Sequence, residues 1–342
     1  MLAVRARHLN ANQGVAFARR LGIVLRQHHC ATTGDRSPLN VEDQAKTGVQ
    51  PSYGPIGVTA ALKADPNGPP PQPTIFKHEF SLADRVGLVS GANRGLGLEM
   101  ALALIEAGAR AIYCIDLPKE PGEEWCKVRD YAKRLQGTGG EARMEYISCD
   151  VTDQECMWKV GETIGDREGR MDIGVAAAGV LKAPIGCLDY PAEEFSQVMD
   201  INTNGVLFTA QAAGRQIVRF GNGGSLILVA SVAGSVAFKG HELLSYNTSK
   251  SAILQMARSM ACELGSKRIR VNSLSPGYIH TGMTAPFLNS QPILFEKWSS
   301  ENPLGRLGRK DELRGVVTWL ASDAITFCTG SDIKVSGGHD AW

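Results

Sequence analysis

Ser231 precedes Tyr246 by fifteen residues, and Lys250 follows Tyr246 by four in Tyr246-Asn247-Thr248-Ser249-Lys250. On a helix, side chains four apart share a face, so the phenol and the ammonium lie together. A nearby ammonium favours the tyrosinate and is expected to lower the phenol pKa toward working pH. The phenol can then exchange a proton with a carbonyl or alcohol oxygen while Ser231 hydrogen-bonds that same oxygen. A Tyr-x-x-x-Lys pair alone is common, and an ordinary helix face accounts for most such pairs. Its specificity comes from what precedes it.

A short apolar strand, Val86–Ser90, runs directly into Ser90-Gly91-Ala92-Asn93-Arg94-Gly95-Leu96-Gly97 and then a helical pattern. Glycines there permit a tight turn and close approach of a pyrophosphate to backbone N–H groups at a helix N-terminus. Gly91, Asn93, Arg94, Gly95, Leu96 and Gly97 are therefore the expected cofactor turn. The second strand ends in Asp116, whose carboxylate can accept from the adenosine ribose hydroxyls and would repel a 2′-phosphate, which favours NAD. Arg94 could instead pair with a 2′-phosphate, so NAD(H) and NADP(H) both stay open. After the third strand, Asp150 in Cys149-Asp150-Val151-Thr152-Asp153 could face the adenine, while Thr152 and Asp153 suit a helix N-cap.

These groups need elements to hold them, and strand and helix patterns alternate along the chain. Val86–Ser90, Ala111–Asp116, Met144–Ser148, Ile173–Ala177, Ser225–Val229, Ile269–Leu274 and Asp332–Val335 read as buried parallel strands. Helices are expected near 95–107, 123–136, 153–166, 192–219, 245–265 and 310–321. This order predicts one α/β domain, a Rossmann-type doubly wound parallel sheet of seven strands with helices on both faces, over residues 75–342.

The start of the chain is different. Residues 1–34 carry five arginines and no acid, and Phe17, Leu21, Val24 and Leu25 form one apolar stripe on a helix. That composition fits a mitochondrial transit peptide; otherwise the segment is a disordered extension of a cytoplasmic protein. Residues 35–74 hold half of the sixteen prolines and read as an extended linker without helix or strand.

Composition narrows the function classes. The 342 residues carry 36 Lys and Arg against 35 Asp and Glu, a balance unlike that of a nucleic-acid binder. A hydrophobic share of 43 % supports a core, and no apolar run is long enough to span a membrane. The eight cysteines include no Cys-x-x-Cys pair and no zinc spacing, so no metal is expected and the thiols read as reduced.

With the glycine turn, the serine at a strand end and the Tyr-x-x-x-Lys helix in that order, the chain from about Ser81 resembles the short-chain dehydrogenase/reductase family. Fungal polyol and sorbose-reductase-like members are nearest, through Asn93-Arg94-Gly95-Leu96-Gly97, Asn222-Gly223-Gly224-Ser225 and the closing Gly337-Gly338-His339-Asp340-Ala341-Trp342. The resemblance implies a fourth catalytic residue, Asn202, holding a proton-relay water beside Lys250. It also implies that Ile279 and Thr281 hold the nicotinamide carboxamide, that Tyr246 and Lys250 also meet the cofactor, and that the protein is a homodimer or homotetramer. Where the family has Asn-Asn-Ala-Gly after the fourth strand, this chain has Ala176-Ala177-Ala178-Gly179; Ala177 and Gly179 still allow close adenine approach, but a strand-stabilising side chain is missing.

The implied activity is NAD(P)-dependent interconversion of a carbonyl and a secondary alcohol. Residues 282–303 are the expected substrate lid, apolar through Met283, Phe287, Leu288, Phe295 and Trp298, with Lys239-Gly240-His241-Glu242 adding polar contacts. A ketose or polyol fits the resemblance; a ketone of a biosynthetic, secondary-metabolite pathway fits the apolar lid. A non-catalytic dinucleotide-binding scaffold would not need the Ser–Tyr–Lys set, which is intact. An interaction role for the proline-rich segment could coexist with the enzyme.

Overall fold

The computed structural model describes residues 54–135, 142–285, 288 and 293–342. The expected transit peptide, residues 35–53 of the linker and Phe287 lie outside the described residues. Those described fall into two compact units, one ending at Ala64 and the other running Asp65–Trp342. In the first, Gly57–Lys63 forms a short helix, α1, with no buried residue. This corrects the expectation of a linker without secondary structure: Val58 to Lys63 contains no proline, and Ala60, Ala61, Leu62 and Lys63 are good helix formers.

In the second unit, seven strands make one sheet, all parallel, in the order β3-β2-β1-β4-β5-β6-β7. They are β1 Val86–Ser90, β2 Ala111–Asp116, β3 Arg143–Ser148, β4 Ile173–Ala176, β5 Gly224–Val229, β6 Ile269–Pro276 and β7 Asp332–Val335. The connecting helices are α2 Gly95–Glu106, α3 Glu123–Ala132, α4 Gln154–Glu168, α5 Ala192–Met199, α6 Gly205–Phe220, α7 Leu244–Leu264, α8 Ile293–Ser300 and α9 Arg314–Ala321. Two buried apolar layers flank the sheet, one packing α4, α6 and α7 and the other α2, α3 and α9. The doubly wound sheet is as expected from the sequence.

Strand order reverses between β1 and β4, where the chain leaves β1 for β2 on one side and returns to β4 on the other. In such sheets ligands bind beyond the carboxyl ends of the strands at the switch point. Ser90, Asp116, Ala176, Val229 and Pro276 all end strands at that edge.

Two local features differ from the sequence expectation. The single helix expected over 192–219 is interrupted by a π-helical turn, Asp200–Asn204, between α5 and α6. Such turns tend to occur at functional sites because one extra residue re-aims the side chains around it. Second, the side chains of Cys149 and Cys156 adjoin, with Cα atoms 6.6 Å apart, a pairing the spacing of the cysteines did not suggest. Their separation of seven resembles no redox motif, yet it bridges the end of β3 and the first turn of α4. Cys114, Cys126, Cys187, Cys262 and Cys328 are free, and no metal-binding cluster occurs among the described residues. No described helix is long and apolar enough to cross a membrane.

Candidate active site

The glycine turn is built as a cradle. Gly91 has φ +67°, and a Cβ on it would lie 2.6 Å from the Ala178 Cα, so the turn and the segment after β4 pass too close for any side chain. Gly95 opens α2 with φ +65°, a conformation favouring glycine, and its missing side chain faces open space. No side chain caps this helix, whereas Asp153 caps α4 by accepting from the Cys156 N–H at 2.9 Å. Uncapped N–H groups beside an open, side-chain-free surface suit a pyrophosphate.

Beside the turn, the Asp116 carboxylate accepts from the Asn93 and Leu117 backbone N–H groups at 3.0 and 2.9 Å. Asn93 Oδ1 in turn accepts from the Gly122 N–H at 2.8 Å. Asp116 is thus fixed at the rim with lone pairs to spare for a ribose. Arg94 is exposed. Leu96 is half-buried and packs against the α2-side core. Asp150 is exposed, and its Oδ1 accepts from both the N–H and the hydroxyl of Thr152, at 2.9 and 2.8 Å. Ala177 and Gly179 are half-buried after β4; a Cβ on Gly179 would lie 3.3 Å from Asn202 Oδ1 and 3.6 Å from Lys250 Nζ. The residues of the expected cofactor cleft therefore adjoin those expected to do the chemistry.

Ser231, Tyr246, Lys250 and Asn202 come together behind that cleft. Ser231 follows β5 in an extended conformation and is buried; its Oγ accepts from the Ala233 N–H at 3.1 Å. Tyr246 and Lys250 lie one turn apart on α7, with Lys250 Nζ 5.6 Å from the Tyr246 ring centroid and donating to Val229 O at 3.0 Å. Burial pushes the Tyr246 pKa up, and the hydrogen bond with Ser231 pulls it down. Burial lowers Lys250 to about 8. The expectation that Lys250 brings the phenol down toward neutral pH is therefore not met: desolvation of the phenol wins, and the lowering influence is Ser231's.

Asn202 is fully buried. Its Nδ2 donates to Val180 O and Ser249 Oγ at 3.0 and 3.1 Å, and its Oδ1 accepts from the Val180 N–H at 2.8 Å. Ser249 Oγ then donates to Tyr246 O at 2.8 Å. The amide ties the segment after β4 to the catalytic turn of α7. Its side chain is committed to these bonds.

Beyond β6, Ile279 is buried and pairs with Gly308 in an isolated bridge. The Thr281 hydroxyl accepts from the Met283 N–H at 3.2 Å, opening the lid with a local turn. Trp298, Leu288 and Leu307 form a small core of their own, so the first two brace the lid, while Met283 and Phe295 are exposed. The sequence reading missed what holds this brace. Trp298 stacks on Tyr278 at 4.6 Å and 5°, Tyr278 stacks on Phe238 at 5.1 Å, and the His339 ring meets Tyr278 and Phe238 edge-on. His241 touches Phe238 and Trp298, and burial lowers its pKa. The only signal was adjacency: Tyr278 follows the Pro276-Gly277 turn and Phe238 precedes the expected polar insertion.

Comparison with known proteins agrees with this geometry. A family model described as enoyl-(acyl carrier protein) reductase matches residues 91–340. The chain is 37 % identical to a short chain dehydrogenase/reductase of Aspergillus versicolor, over 77 % of this chain and 89 % of that one. It is 35 % identical to a sorbose reductase of Schizosaccharomyces pombe, over 76 % and 97 %. Among solved structures, a short-chain type dehydrogenase/reductase from Mycobacterium marinum superposes with a TM-score of 0.70 at 36 % identity, covering 77 % of this chain and 98 % of that one. With the switch-point cleft, the uncapped helix and the Ser–Tyr–Lys–Asn cluster in one place, the chain belongs to the short-chain dehydrogenase/reductase family of NAD(P)-dependent oxidoreductases.

Proposed function

We propose that this oxidoreductase reduces a ketose-type carbonyl to the secondary alcohol of a polyol, and reverses that reaction, within residues 75–342. The observation that carries the chemistry is the gathering of buried Ser231 and buried Lys250 around Tyr246, whose ring centroid lies 5.6 Å from Lys250 Nζ, behind the dinucleotide cleft. The similarity to a sorbose reductase supports the substrate class. The nicotinamide, when bound, supplies or accepts the hydride. Tyr246 gives the proton to the substrate oxygen during reduction and takes it back during oxidation. Ser231 holds that oxygen in line with the phenol. Lys250 holds the nicotinamide ribose and balances charge at Tyr246, and Asn202 keeps the segment carrying Gly179 against α7. Gly91, Asn93, Gly95, Leu96 and Gly97 take the pyrophosphate, Asp116, Arg94 and Asp150 the adenosine, with Ala177 and Gly179 beneath it and Ile279 and Thr281 at the carboxamide.

The testing experiment is a screen of ketoses, polyols and simple ketones followed by nicotinamide absorbance. Turnover of ketoses supports the reading. Turnover confined to apolar ketones would replace it with a biosynthetic ketone reductase, which the braced, aromatic lid favours.

Two further outcomes are expected. Asp116→Ala should raise the preference for NADPH over NADH severalfold, because it removes a carboxylate that repels a 2′-phosphate; an unchanged ratio of kcat/KM values would place Asp116 away from the ribose. Carbonyl reduction should also fall as pH rises through about 8, where Lys250 gives up its proton. Tyr246, shifted upward, stays protonated across that range. A flat profile from pH 7 to 9.5 would remove the Lys250 charge from the reaction.

We also propose a homodimer or homotetramer through α6 and α7. A groove of about 890 Å³ runs between α4, α6 and α7, lined by Leu207, Val218, Met256 and Met260, with Arg215 and Glu263 offering opposite charges to a second copy. Size-exclusion chromatography is expected to show at least twice the chain mass of 36.7 kDa; a monomer at micromolar concentration would end this part.

A further inference from the structure

The adjoining Cys149 and Cys156 sit where the adenosine end of the cofactor is expected. Cys149 directly follows β3, is 4 % exposed, and its N–H donates to Asp116 O at 2.9 Å. Cys156 is half-buried in the first turn of α4, where its N–H meets the capping Asp153 carboxylate. A bond between them closes an eight-residue loop, 149–156, that contains Asp150, Val151 and Thr152. Val151 carries any movement inward: a Cβ on Gly205, at the start of α6, would lie only 2.7 Å from Val151 Cγ2. Gly205 follows the π-helical turn that holds Asn202.

We propose that Cys149 and Cys156 are a reversible oxidation site that tunes dinucleotide affinity by fixing or freeing the Asp150 loop. This rests on the dinucleotide reading of the cleft given above. The Cα separation of 6.6 Å lies within the range a disulfide spans. Oxidation needs a co-reactant, and a low-molecular-weight disulfide of the glutathione class supplies it. Cys156, the more exposed of the two and set at a helix N-terminus, attacks as thiolate. Its sulfur bonds to one sulfur of the small disulfide and expels the other as thiolate. Cys149, deprotonated, then attacks the Cys156 sulfur and expels the second small thiolate. Two protons leave the protein, the pair loses two electrons, and the small disulfide is reduced to two thiols.

Closing the loop covalently removes conformations in which Asp150 and Thr152 are out of place, so the bonded form should bind the dinucleotide more tightly. Freeing one or two side chains of a pocket weakens binding roughly three- to tenfold.

The test equilibrates the full-length protein in glutathione buffers from reducing to oxidising. It reads the state of Cys149 and Cys156 by alkylation and peptide mass spectrometry, and NADH and NADPH affinity by fluorescence titration. The expected result is that the two cysteines are protected together as one cross-linked peptide pair in oxidising buffer and alkylated together in reducing buffer. The reduced form should bind its preferred nucleotide three- to tenfold more weakly. Cys156→Ser should bind like the reduced protein in every buffer. Alkylation of both cysteines in the most oxidising buffer, glutathione adducts in place of the cross-link, or equal affinities in the two states would each overturn the proposal. If neither nucleotide bound in either state, the dinucleotide reading would fall and the proposal with it. Equal binding in both states would sink the proposal alone.

Discussion

Tyr246→Phe should lower turnover by about 10² to 10⁴, the usual cost of losing a positioned general acid, while leaving cofactor affinity close to that of the parent. The substitution removes one oxygen. The ring stays on α7 beside Lys250, whose Nζ lies 5.6 Å from its centroid and keeps its bond to Val229 O. What is lost is the hydroxyl that carries the proton. Lys250→Ala makes an instructive contrast. It strips the cleft of its buried cation and leaves Val229 O without this donor, so both turnover and cofactor affinity should drop. Steady-state rates on a confirmed substrate, with fluorescence titration of NADH and NADPH, separate the two patterns. A Phe variant with near-parental rates would remove Tyr246 from the chemistry whatever the fold, and one that lost cofactor affinity as well would make Tyr246 a structural residue.

The two variants differ because the site puts protonation and charge on separate side chains, each in a different environment. Desolvation raises the phenol and lowers the ammonium, so burial alone favours the neutral form of both. A protonated phenol near neutral pH is the form that carbonyl reduction requires. Only the Ser231 bond works against burial at Tyr246. That direction was not legible in the sequence. The four-residue spacing places the ammonium next to the phenol but says nothing about how deeply either is desolvated.

Other parts of the molecule were legible for definable reasons. β1 and β2 are unbroken apolar runs because both faces of a parallel sheet are covered, and a fully buried strand has no polar face to blur its ends. The glycine turn was readable because backbone approach leaves a residue-type signature: nothing larger fits at Gly91. The π-helical turn at Asp200–Asn204 left no such mark, since one added residue barely disturbs a helical apolar pattern over 192–219. The stack of Phe238, Tyr278 and Trp298 joins residues far apart in the chain, and only tertiary packing brings them together. The Cys149–Cys156 pair escaped for a similar reason, because its closeness depends on how α4 leaves β3. The site's inner members are therefore written in local sequence, whereas the brace around its lid is written in the fold.

Gly97→Ala tests the cradle itself and should be the most damaging substitution of a single methyl group in this protein. A Cβ at Gly97 would lie 2.2 Å from Gly91 O, 2.8 Å from Gly91 C and 3.1 Å from Ala92 Cα. All three are backbone atoms, so no side chain can swing aside, and α2 must move away from the turn after β1. Forcing a methyl into a packed site costs about 1–3 kcal/mol and sometimes more, which lowers the melting temperature by several degrees in a domain of this size. Moving α2 also displaces the uncapped N–H groups that suit the pyrophosphate, so cofactor affinity should fall with stability. Gly315 provides the control. It lies in α9 with no atom within 4 Å of its missing Cβ and no left-handed backbone, so Gly315→Ala should be neutral or slightly stabilising through helix propensity alone. Thermal melts of both variants with and without NADH or NADPH decide the matter. If Gly97→Ala melted like the parent and kept its shift on adding nucleotide, the tight crossing of Gly97 over Gly91 would not be what shapes the cofactor turn.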